Sequence, residues 1–113
     1  MRNWLSRRMD VQVAIPKLDA QGFALLGGRL LPGPERPSCQ LVYQRADGKR
    51  VALYMTRERG SDGRGMTFES RGKAQLAYWS NGTLSFVIAG ETSAEELRAL
   101  SDAARAQLGP RQS

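Results

Sequence analysis

Apolar and polar positions alternate most regularly over residues 39–55, where two strand-like runs flank Asp47-Gly48. A two-residue loop on Asp47-Gly48 would oppose Arg45 to Arg50 and give neither face a clean character. A three-residue loop, Ala46-Asp47-Gly48, pairs Tyr43 with Val51, Leu41 with Leu53 and Cys39 with Met55 on one apolar face. Because a one-residue slip sends every side chain to the opposite face, the pattern selects this bulged hairpin. A second hairpin is expected over residues 74–89 about Asn81-Gly82. With Ser80 opposite Thr83, it sets Trp79 against Leu84, Ala77 against Phe86 and Gln75 against Ile88.

The pattern changes period at Ser93. Ser93 with Glu96 forms a capping box, and Leu97, Leu100, Ala104 and Leu108 follow at helical spacing until Gly109-Pro110, which predicts a helix over 93–108. At the other end, Trp4, Leu5 and Met9 predict a short amphipathic helix over residues 1–9, and Val11, Val13 and Ile15 a brief strand stopped at Pro16. Residues 23–31 read as a kinked apolar strand interrupted by Gly27-Gly28, paired glycines that mark either a bulge or a close backbone approach. Met66 and Phe68 mark another short strand. The fold class expected is α+β: an antiparallel sheet of about five to six strands built from two hairpins (39–55, 74–89), with a short N-terminal helix and a C-terminal helix (93–108).

Length and composition narrow the chemistry. At 113 residues the chain is one domain, long enough to bury a core without disulfides or a structural metal. Seventeen Lys and Arg against eleven Asp and Glu give a net charge of +6, an argument about solubility and attraction to anions rather than fold. The basic residues are scattered, which favours a solvated Arg-rich surface over a nucleic-acid interface. The absence of histidine removes Ser-His and Cys-His catalysis and the commonest metal ligand. Lys17, Lys49 and Lys73 lie near turns, and Glu95-Glu96 belong to the first turn of the predicted helix. No catalytic role, cofactor or metal is expected. Cys39, the single cysteine, falls on the apolar face and is read as an inert core thiol.

Residues 56–65 are polar and glycine-rich without a phosphate-binding spacing. Arg57, Arg59 and Arg64 in this stretch are the candidate partner surface. Tyr43, Trp79 and Phe86 fit core packing better than a base-stacking platform. An edge strand at residues 11–15 leaves a homodimer open.

Taken in order, Pro16-x-Leu18, Gly22-Phe23, Gly27-Gly28-Arg29-Leu30-Leu31-Pro32-Gly33, Gln40-Leu41-Val42-Tyr43, Leu53-Tyr54, Tyr78-Trp79, Gly82, Gly90 and Glu95-Glu96-Leu97 resemble the C-terminal region of bacterial transmembrane anti-sigma factors. The resemblance spans roughly residues 4–108. It implies a fragment, 1–113, that lacks an N-terminal cytoplasmic module and a transmembrane helix. It also implies a periplasmic sensory or interaction domain that meets a signal or protein partner, with the sigma factor held only by the missing module. The His-x-x-x-Cys-x-x-Cys zinc module of that family has no counterpart here. The alternative expectation is a small basic domain that binds nucleic acid or another polyanion.

Overall fold

The computed structural model describes residues 14–31, 38–57, 64–81 and 84–108. They form six antiparallel strands and one helix: β1 (Phe23–Leu31), β2 (Ser38–Arg45), β3 (Arg50–Arg57), β4 (Arg64–Arg71), β5 (Ala74–Ser80), β6 (Leu84–Gly90) and α1 (Ala94–Leu108). A single 3-10 turn at Asp19–Gln21 leads into β1 through Gly22, whose φ of 86° is a left-handed conformation suited to glycine. The strand order is β1-β2-β3-β6-β5-β4. Two three-stranded meanders, β1–β3 and β4–β6, therefore lie side by side and meet along β3 and β6.

Strands β2 and β3 pair Tyr43 with Val51, Leu41 with Leu53 and Cys39 with Met55, with Gln44 opposite Arg50. Gly48 donates its N–H to the Arg45 carbonyl at 2.9 Å, Arg45 N–H donates to the Lys49 carbonyl at 2.8 Å, and Gly48 takes φ 92°. This is a three-residue loop closed by a left-handed glycine. In β1 the register shifts between Leu25 and Gly27, which leaves Leu26 bulged out of the ladder.

The second hairpin differs from expectation by two residues in register. Ser80 lies opposite Ser85, Trp79 opposite Phe86, Ala77 opposite Ile88 and Gln75 opposite Gly90. Asn81 explains the shift. Its side chain is buried, and Oδ1 accepts the Leu84 N–H at 2.8 Å while Asn81 N–H donates to the Leu84 carbonyl at 3.1 Å. Asn81 thus closes the ladder opposite Leu84 instead of occupying the loop. A shift of two preserves the facing of every side chain, so the apolar face survives the change.

One sheet face holds the core. Cys39, Leu41, Tyr43, Val51, Leu53, Met55, Ala77, Trp79, Phe86 and Ile88 are buried there against Leu97, Leu100, Ala104 and Leu108 of α1. Trp79 and Phe86 stack at 5.1 Å between ring centroids, and Arg98 of α1 lies 4.3 Å above the Phe68 ring of β4. At the N-terminus of α1, Ser93 Oγ accepts the Glu96 N–H at 3.0 Å. The Glu96 carboxylate accepts from the Thr92 hydroxyl, Arg45 and Lys49, so the cap ties the helix to the β2–β3 turn.

The N-terminal expectations fare differently. The predicted helix over residues 1–9 and Val11 to Val13 of the predicted strand lie outside the described residues. Ala14 and Ile15 are not in a strand; they sit half-buried against the core. What holds the following segment is a set of side-chain bonds in place of a ladder. Tyr43 Oη donates to the Pro16 carbonyl at 2.7 Å, while Gln107 of α1 accepts Lys17 N–H and donates to the Lys17 carbonyl, both at 2.7 Å.

Candidate functional site

The arginines proposed from sequence are only partly brought together. Arg57 ends β3 opposite Leu84, and Arg64 opens β4 opposite Ser80. Both therefore lie at the same end of the sheet, with β6 and β5 between them. Arg59 lies outside the described residues. Cys39 is fully buried, and burial pushes its thiol up to about 11, which makes it a poor nucleophile at neutral pH. Tyr43, Trp79 and Phe86 are likewise buried on the covered face, so no aromatic platform is presented there. Burial, followed by the nearby Asp19 charge, raises the Tyr43 phenol well above its ordinary value; its proton stays on the hydroxyl that holds Pro16.

The opposite face of the sheet is built differently. The registers align Val42, Ala52, Ala89 and Leu76 in one row and Gln40, Tyr54, Val87 and Tyr78 in the next. All eight are half-buried, and no described element packs over them. The small Ala52 and Ala89 sit at the centre, flanked by larger apolar side chains. Gln40 Nε2 donates to Tyr54 Oη at 3.1 Å, which fixes one phenol across the strands.

Toward β1 this face opens into a shallow groove of about 350 Å³, lined by Leu26, Gly27, Arg29, Gln40, Val42 and Arg50 among others. Its origin is local. The β1 bulge turns Leu26 outward, leaving it 55% exposed, while Gly27 beside it contributes no side chain opposite Val42. Arg29 and Arg50 stand at the two ends, each held through Nε: Arg29 on Gln40 Oε1 at 2.9 Å and Arg50 on Gln44 Oε1 at 2.6 Å. Guanidinium planes fixed in this way keep their Nη donors directed at other acceptors. The sequence signal for the groove was present in Gly27-Gly28. Its chemical character emerges only when the pairing sets Arg29 and Arg50 around that gap.

A second cluster joins the β2–β3 turn to α1. Arg45 bonds Asp47 through Nε at 3.1 Å and Nη2 at 2.7 Å, and contacts Glu96 through Nη1. Its side-chain bond to Arg45, and then the Lys49 N–H, hold the Asp47 carboxyl down at about 2. The Thr92 hydroxyl, then Lys49 and Arg45, lower that of Glu96. Both carboxylates are thereby kept ionised by structural partners, an arrangement of clasps rather than of proton-transfer groups. Among the described residues no group of three or more His, Cys, Asp or Glu is placed to hold a metal ion, and no helix is long and apolar enough to cross a membrane.

No protein-family model, curated protein or solved structure matches the chain.

Proposed function

We propose that this chain is a non-catalytic sensory or interaction domain that receives a protein partner on its uncovered sheet face. In the fuller form of this reading it is the periplasmic part of a membrane-bound bacterial anti-sigma factor. The observation that carries the interaction role is the half-buried apolar face centred on Ala52, Ala89, Tyr54 and Val87, which no described element covers. A sheet face of six strands measures roughly 500–600 Å² at ordinary strand spacing and rise, enough for one side of a modest protein interface. The anti-sigma assignment draws its support from the ordered sequence resemblance set out above.

The domain would act by contact. Engagement of a partner or signal outside the cytoplasm would alter the stability or proteolysis of the whole regulator and so release the sigma factor held by its cytoplasmic module. The test is transcription from a sigma-dependent promoter in cells that carry the full reading frame. Deleting residues 14–108 should abolish the response to the inducing condition, whatever the basal level. An unchanged response, or an upstream reading frame that encodes no apolar span, would overturn the anti-sigma assignment. The net charge of +6 favours polyanion binding as the rival reading. A DNA or RNA affinity that falls steeply with salt would favour that rival.

A further inference from the structure

We infer that the groove over Gly27 is a docking site for an extended acidic segment of a partner protein, with carboxylates seated on Arg29 and Arg50 and an apolar side chain between them over Gly27 and Val42. This rests on the reading of the chain as an interaction domain and names the chemistry of the partner.

Gly27 carries the first part of the argument. Its φ lies outside the left-handed region, and a Cβ placed there would meet nothing within 4 Å. Neither backbone conformation nor close packing calls for glycine, and glycine weakens a strand interior. What the missing side chain does provide is the open floor of the groove. The contrast with Gly90 is direct: a Cβ there would stand 2.6 Å from Val51 Cγ1, so close packing explains that glycine in full.

The second part is charge. Among the described residues Arg29 and Arg50 donate only through Nε, to Gln40 and Gln44. The neutral glutamines orient the two guanidiniums without neutralising them, and no carboxylate is among the described residues that line the groove. Arg50 also borders an adjoining hollow with Asp47 and Glu91, but within the groove the two cations at the ends of an apolar trough match a ligand with an anion at each end and an apolar centre. From their register positions the Arg29 and Arg50 backbones lie roughly 17 Å apart, diagonally across β2. With both side chains leaning inward, this suits carboxylates about two to four residues apart on one face of an extended peptide. A shallow, open trough also suits a strand-like peptide better than a compact small molecule, which deep pockets enclose.

The test uses the chain as it stands and the fluorescein-labelled peptide Ser-Glu-Thr-Val-Thr-Glu-Ser, which places Glu, Val and Glu on one face. Fluorescence anisotropy should show saturable binding that weakens with salt. The peptide with Gln for both Glu should bind about tenfold more weakly or worse. Gly27→Val should fill the trough and lose about tenfold in affinity while the melting temperature does not fall; the pair Arg29→Gln with Arg50→Gln should lose at least as much. The proposal is overturned if the Glu and Gln peptides bind alike, if Gly27→Val binds as well as the parent, or if nothing saturates by about 1 mM. Hexanoate binding as tightly as the peptide would make this a small-acid site instead. Self-association in sedimentation that the peptide displaces would assign the face to a second copy. Either result also overturns it. Failure here, with the promoter response still dependent on residues 14–108, would leave the interaction role standing and move the docking surface elsewhere.

Discussion

The two meanders share a strand order and differ at the turns that close them. In β1–β3 the closing turn is exposed, and Asp47 works outward, bonding Arg45 and the Lys49 N–H at the surface. In β4–β6 the closing residue Asn81 is buried and works inward, accepting the Leu84 N–H. Two short polar residues, each followed by glycine, therefore do different things: one braces its own turn from the solvent side by holding Arg45 and the Lys49 N–H, the other completes a ladder where water does not reach. The distinction matters because an unmet backbone donor is costly only when it is buried.

The largest effect expected concerns what the meanders have in common. Phe86→Ala should destabilise by about 3–5 kcal/mol and Leu41→Ala by about 2–5 kcal/mol, because both empty space in one continuous core. Each variant should melt in a single transition, by fluorescence and by far-ultraviolet circular dichroism alike. Two separated transitions would break the picture of meanders sharing a core. Next in size, Asn81→Ala should cost about 1–3 kcal/mol in denaturant melts by leaving the Leu84 N–H buried without its acceptor. Asp47→Ala should cost clearly less, since its partners are solvated. Equal losses would erase the distinction between the turns.

The smallest effect is one of pH. The folded Asp47 carboxyl titrates at about 2, below its ordinary value of 3.8, so its contribution is complete above the ordinary carboxylate range. That contribution is lost as pH falls through about 2. Asp47→Asn should flatten the acid limb of the stability curve, measured by urea midpoints between about pH 5 and 2. An acid limb identical to the parent's would show that Asp47 is not tied to Arg45 in solution.

Much of this fold is written in local patterns, and the places where it is not are instructive. The β2–β3 register follows from alternation alone, because only one loop length puts Tyr43, Leu41 and Cys39 on the face of Val51, Leu53 and Met55. Alternation cannot detect a shift of two, which keeps every facing intact; only the buried Asn81 side chain distinguishes Ser85 from Thr83 as the partner of Ser80. The helix and its Ser93 cap follow from period and cap chemistry, whereas the reach of Glu96 to Arg45 and Lys49 depends on tertiary placement. The candidate site was the least legible part. The sequence drew attention to arginines clustered along the chain at 57–64, while the groove assembles Arg29 and Arg50 from different strands around a glycine.

The junction of β3 with β6 has a kinetic meaning. Every other neighbouring pair of strands is consecutive in the chain and can close as a hairpin. Val51 with Gly90 through Arg57 with Leu84 instead join segments separated by two whole strands. The entropy of closing that long loop must be met before the contacts it brings can repay it, so pairing along this line should limit the rate of folding. Stopped-flow φ-values near Leu53 and Ile88 should then exceed those at Asp47 and Gly72. The reverse order would mean that a hairpin turn, rather than the meeting of the two halves, nucleates the protein.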